Sequence, residues 1–87
     1  MEAMLLMTTL ATKQYLLDSG GYSYNIDRQV YFNRSAKKIF SVDFLEDHEG
    51  PEIEQSINEN TDGREWRFYF NATPPESVKR EIASALG

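Results

Sequence analysis

The only histidine, His48, stands in the run Asp43-Phe44-Leu45-Glu46-Asp47-His48-Glu49, where an imidazole and nearby carboxylates are donor types that a divalent metal accepts. A metal centre usually gathers its ligands from separate elements, and the chain has no cysteine and no second histidine, so the run reads as a solvated loop at a helix entry. Asn58-Glu59-Asn60-Thr61-Asp62-Gly63 has the alternating oxygen donors and sixth-position glycine of a calcium loop, but the twelfth position is Tyr69 rather than a bidentate Glu. A turn at the end of a helix explains the same residues. Gly63-Arg64-Glu65-Trp66-Arg67-Phe68-Tyr69-Phe70 places aromatic and basic residues together, as a base-stacking strand would. Its alternation, however, sends Trp66, Phe68 and Phe70 to one face, the face that also has to form the core. The serines have no strand-turn-helix elbow and no histidine partner outside the acidic loop, and Gly20-Gly21 lacks the spacing of a phosphate-binding loop. No catalytic constellation is found, and nothing calls for a cofactor or a metal.

Nine Lys and Arg against fourteen Asp and Glu give a net charge of −5, which argues against a nucleic-acid binder that relies on phosphate contacts. Five Phe, five Tyr and one Trp in 87 residues argue against disorder. The length suits a single domain over residues 1–87, with residues 1–6 as an extension ahead of the fold. Met4-Leu5-Leu6-Met7 is too short to span a membrane and lacks the flanks of a secretory signal. With no cysteine, the chain suits a reducing, cytoplasmic setting.

Any site must be positioned by a small set of elements. Leu6, Leu10 and Leu17, with Met7, Ala11 and Tyr15, recur at helical spacing up to Ser19, and Gly20-Gly21 ends that helix. Tyr22 to Leu45 reads as a two-stranded hairpin. If even positions face the core in both strands, a three-residue loop Arg34-Ser35-Ala36 sets Val30 opposite Phe40 and Ile26 opposite Phe44. Pro51, Glu52 and Glu54 open a short helix with Ile53 and Ile57 inside, ending before Asn60. Trp66, Phe68 and Phe70 mark the third strand. Thr73-Pro74-Pro75-Glu76 reads as a capping box that starts a last helix with Val78, Ile82, Ala85 and Leu86 inward and a Glu76–Arg80 pair outward. No internal repeat is read.

The expected fold is therefore α+β in the order α-β-β-α-β-α, a three-stranded antiparallel sheet with helices packed mainly on one face. The third strand is expected antiparallel beside the first, with a plain meander as the alternative. Tyr31, Ile39, Leu45 and Tyr69 then fall on the second face. With Arg67 they form the candidate binding surface of a protein-interaction domain that self-associates as a homodimer or binds another protein. A small-molecule cleft built from Arg67, Tyr31 and Tyr69 is the alternative function. The opposing structural possibility is that the first helix covers this face and leaves no patch.

Overall fold

The computed structural model describes residues 9–87, with side chains from residue 12 onward. The expected extension at residues 1–6, and the roles given to Leu6, Met7, Leu10 and Ala11, lie outside what is described. Helix α1 (Thr9–Asp18) buries Thr12 and Leu16 and leaves Tyr15 and Leu17 outward, so its inner stripe is not the one expected from Leu17. The glycine pair does end it. The Ser19 and Gly20 N–H groups donate to the Tyr15 carbonyl at 2.8 and 2.9 Å, and Gly21 takes φ +77°. A Cβ on Gly20 would lie 3.1 Å from the Leu16 backbone, so neither glycine is easily replaced.

The expected hairpin is instead three strands, β1 (Ser23–Asn25), β2 (Val30–Asn33) and β3 (Lys38–Ser41). Two matching turns join them. Asn25 pairs with Val30 and Asn33 with Lys38, leaving four residues in each loop. The Asn25 side chain accepts the Arg28 N–H at 2.9 Å, and Asn33 accepts that of Ala36 at 3.0 Å. Each loop closes on a left-handed residue, Gln29 at φ 56° and Lys37 at φ 58°. Asparagine takes this role readily because its side chain imitates a backbone turn. The two turns form an eight-residue repeat, Tyr24-Asn25 followed by Phe32-Asn33, that the sequence reading missed.

An even loop sets odd positions opposite even ones. Tyr31 faces Phe40 and Val30 faces Ser41, so the expected three-residue register is wrong. Ile26 lies in the first turn, 75% exposed, and is not core. β3 also stops earlier than the alternation of Phe40, Val42 and Phe44 implied. The Ser41 hydroxyl accepts the Phe44 N–H at 3.1 Å and caps α2 (Val42–Asp47), so Phe44 and Leu45 are helical.

Helix α3 (Gly50–Asn58) forms as expected, with Pro51 in its first turn, Ile53 buried and a reciprocal cap between Glu49 and Glu52. Nine helical residues span about 14 Å, enough to carry the chain back to the start of β3. Strand β4 (Arg67–Tyr69) therefore runs parallel to β3 and pairs with it. The expected direction holds, but the neighbour is the second expected strand rather than the first, so the four-stranded sheet, ordered β1-β2-β3-β4, is mixed. Helix α4 (Glu76–Leu86) starts after Pro75. The Thr73 capping box is not formed, and Glu76 pairs with Lys79 at 3.6 Å instead of with Arg80. Ile82 and Leu86 are buried, while Val78 and Ala85 are exposed.

Both faces of the sheet are covered, which corrects the expectation of helices mainly on one face. On one side Leu16, Leu45 and Ile53 from α1, α2 and α3 pack with Tyr22, Tyr31 and Phe40. On the other, Ile82 and Leu86 of α4 pack with Val30, Phe32 and Ile39, flanked by Trp66, Phe68 and Phe70. The fold is α+β in three layers, with a radius of gyration of 12.4 Å. No helix among the described residues is long and apolar enough to cross a membrane.

Candidate functional site

The residues expected to form a binding surface are divided between the two cores. Tyr31 lies beneath α1 to α3, Leu45 points into the same core from α2, and Ile39 lies on the α4 side; their exposures are 7%, 0% and 0%. They are not available for docking in the folded chain. A row of rings crosses the sheet at paired positions Tyr24, Tyr31, Phe40 and Tyr69. Tyr24 and Tyr31 have centroids 4.7 Å apart, and Phe40 and Tyr69 stack at 4.6 Å. The tyrosine density therefore does packing work.

Arg67 and Tyr69 remain together but are already partnered by the end of α3. The Tyr69 hydroxyl donates to Glu59 Oε1 at 2.5 Å, and Arg67 Nη1 donates to Glu59 Oε2 at 3.4 Å. Tyr31 does not join them, so no cleft assembles from the three. Beside this cluster the buried Lys38 ammonium donates to the carbonyls of Ser56 at 2.9 Å, Ile57 at 2.5 Å and Glu59 at 2.8 Å. The carbonyl oxygens at the C-terminal end of α3, with Glu59 from the run that resembled a calcium loop, thus hold a cation supplied by β3. His48 is also engaged: its Nδ1 donates to the Phe44 carbonyl at 3.0 Å and its ring stacks on Phe44 at 4.0 Å. Among the described residues no three metal-ligating side chains converge.

These tyrosines give the fold a defined alkaline limit. Burial, followed by the neighbouring Tyr15, pushes the Tyr22 phenol from its ordinary 10.0 up to about 12. Burial and then Tyr24 raise Tyr31; burial and then the hydrogen bond to Glu59 raise Tyr69. Above pH 10 the unfolded chain releases phenol protons that the folded chain keeps, so the folded state binds more protons and stability falls as pH rises. Lys38 has the opposite sign. Burial lowers its ammonium from 10.5, with Glu59 opposing and Arg67 reinforcing, so its contribution to stability rises with pH up to 10.5 and is then constant. Three tyrosines outweigh one lysine. The urea midpoint is expected to drop between about pH 10 and 12, with Tyr22 alone accounting for about 2 kcal/mol by pH 12. Parallel tyrosinate absorbance and circular dichroism titrations check this; a flat or rising midpoint would overturn it.

The surface that stays open lies at the sheet edge. β4 pairs only with β3 among the described strands. The Arg67 N–H donates to the Lys37 carbonyl at 2.7 Å, which fixes the parity of the ladder. Arg67 and Tyr69 then bond toward β3, while the N–H and C=O of Phe68 point outward. Alongside this edge α4 overhangs a cleft of about 330 Å³ lined by Arg64, Glu65, Trp66, Phe68, Lys79 and Arg80, among others. Lys37 sits 5.1 Å over the Trp66 ring and Lys79 5.7 Å over Phe68. Four cations therefore surround the two rings, against the carboxylates of Glu65 and Glu76, and Glu76 already pairs with Lys79.

The acidity lies elsewhere. From Asp43 to Asp62 the chain carries eight carboxylates, and no Lys or Arg occurs between Ile39 and Gly63. The net charge of −5 thus conceals a basic edge on an acidic protein. Sequence reasoning assigned Trp66 and Phe68 wholly to the core; they do pack against the α4-side core, but only half-buried, and they also line the cleft. The available signal was the spacing of Arg64, Lys79 and Arg80 on either side of those rings. Comparison of the chain with protein-family models, curated proteins and solved structures finds no match in any of the three, so the groove is interpreted from its own chemistry.

Proposed function

We propose that the chain is a protein-interaction domain, acting in the cytoplasm, whose docking surface is the groove between β4 and α4. The outward N–H and C=O of Phe68 beside a cation-lined cleft carry this reading. It keeps the interaction class expected from the sequence and moves the surface away from the tyrosines. Self-association through this edge is disfavoured, because a second copy would bring its own Arg64, Lys79 and Arg80 against these. Nothing assembled from Arg67, Tyr31 and Tyr69 recommends the small-molecule alternative.

The test is selection of binders from an unbiased displayed peptide library, followed by amide chemical-shift mapping. Enriched peptides are expected to move the Trp66 indole and the Phe68 and Ala83 amides. Ala83 lines the cleft from α4, so Ala83→Tyr fills it and is expected to weaken binding by at least about tenfold. Enriched peptides that ignore this substitution and shift resonances elsewhere would overturn the assignment, as would enrichment of none.

A further inference from the structure

We infer that the groove accepts an extended acidic segment of another protein, which joins the sheet as a fifth strand beside β4 and sends carboxylates into the cleft at alternate positions. The inference rests on the interaction reading above and specifies its partner. Three observations converge on it.

The first is the free hydrogen-bonding parity of β4. An added strand satisfies the outward N–H and C=O of Phe68, the pairing that an edge strand offers and a helix cannot supply. The second is the placement of side chains. Trp66 and Phe68 lie on the α4 side of the sheet, so every second residue of the added strand points into the cleft beneath Lys79, Arg80 and Ala83. The third is charge. A Glu entering there sets its carboxylate against Arg64 or Arg80, or against the Lys79 ammonium that lies over Phe68. The residues between them face the opposite side, next to Tyr69.

Nucleic acid fits less well, although rings and cations are its usual attractants. The Trp66 and Phe68 rings each already carry an ammonium at 5.1 and 5.7 Å, which occupies stacking surface. The eight carboxylates from Asp43 to Asp62 would repel a longer phosphate chain.

Trp66 is the sole tryptophan, so intrinsic fluorescence reports on the groove directly. The probe is a synthetic peptide of about ten residues alternating Val and Glu, a length typical of a strand. It is titrated beside a Val/Gln version, a version N-methylated at its central amides, and oligo-dT. The Val/Glu peptide is expected to shift Trp66 emission and to slow hydrogen exchange at the Phe68 amide. The Gln version, the N-methylated version and the exposed-site variant Arg64→Glu/Arg80→Glu are each expected to bind at least about tenfold more weakly.

Equal binding of the Gln version overturns the acidic preference and leaves the docking groove standing. Binding without protection of Phe68 overturns the added strand. Tighter binding of oligo-dT reassigns the surface to nucleic acid and overturns the proposal. Failure of the Val/Glu peptide, while library-selected peptides still occupy the groove, overturns the inference alone; failure of both removes the interaction reading as well.

Discussion

Replacing Phe40 with Ala is expected to destabilise the protein by about 3–5 kcal/mol, a large share of the roughly 4–13 kcal/mol that a domain of this length holds. Phe40 is fully buried at the centre of the larger core. Its ring stacks on Tyr69 at 4.6 Å and meets Tyr22 and Phe44 edge-on at 5.6 and 5.7 Å. Truncation therefore leaves a cavity lined by the rings of Tyr22, Phe44 and Tyr69, and a tethered ring cannot readily collapse into it. Tyr69 is tied to Glu59, so it stays and loses its stacking partner. Urea denaturation at neutral pH measures the loss. A double-mutant cycle with Tyr69→Leu is expected to return about 1 kcal/mol of coupling beyond area burial. A loss below about 1.5 kcal/mol would show that this row of rings is not the centre of the fold.

The same residue shows why the sheet was only partly legible. Alternation separates core from solvent when one face of a sheet is wet, and Phe32, Phe40 and Phe44 then look like a single face. Here both faces are buried, so Tyr31 and Phe32 are each core on opposite sides and alternation loses its meaning. Loop length then sets the register, and it depends on Gln29 and Lys37 adopting positive φ. Neither residue type advertises that conformation. Elements marked by local chemistry were legible: the Gly20-Gly21 stop, the Pro51 start of α3, and the aromatic run of β4. The capping box at Thr73 was a false signal, because Pro74 and Pro75 hold the chain extended until Glu76. Of the expected site residues, Arg67 and Tyr69 do meet, through Glu59. The groove was not legible because it depends on α4 standing over β4, with Lys79, Arg80 and Ala83 beside the rings, a long-range placement that local spacing does not record.

Lys38→Met is the second substitution expected to have a large effect, about 3 kcal/mol of lost stability, or about 12–24 °C in Tm. The ammonium is the shared partner of three carbonyls at the end of α3, where a helix leaves its last acceptors unsatisfied and the dipole favours positive charge. Met keeps most of the buried stem and removes only the donors, so the loss reports the cage rather than the packing. Lys38→Arg is the sharper test. An ammonium offers three donors splayed about one nitrogen, which matches carbonyls converging from Ser56, Ile57 and Glu59, whereas a planar guanidinium cannot serve all three in the same space. Arg is therefore expected to restore less than half of the loss despite keeping the charge. Because Lys38 pairs in register with Arg67, release of the α3 end also loosens the start of β4. Hydrogen exchange at the Arg67 amide, which donates to the Lys37 carbonyl at 2.7 Å, is expected to quicken in Lys38→Met before the amides of β2 respond. Uniform acceleration across β2 and β4, or full rescue by Arg, would mean that Lys38 contributes charge and bulk rather than a fitted clamp between α3 and the sheet edge.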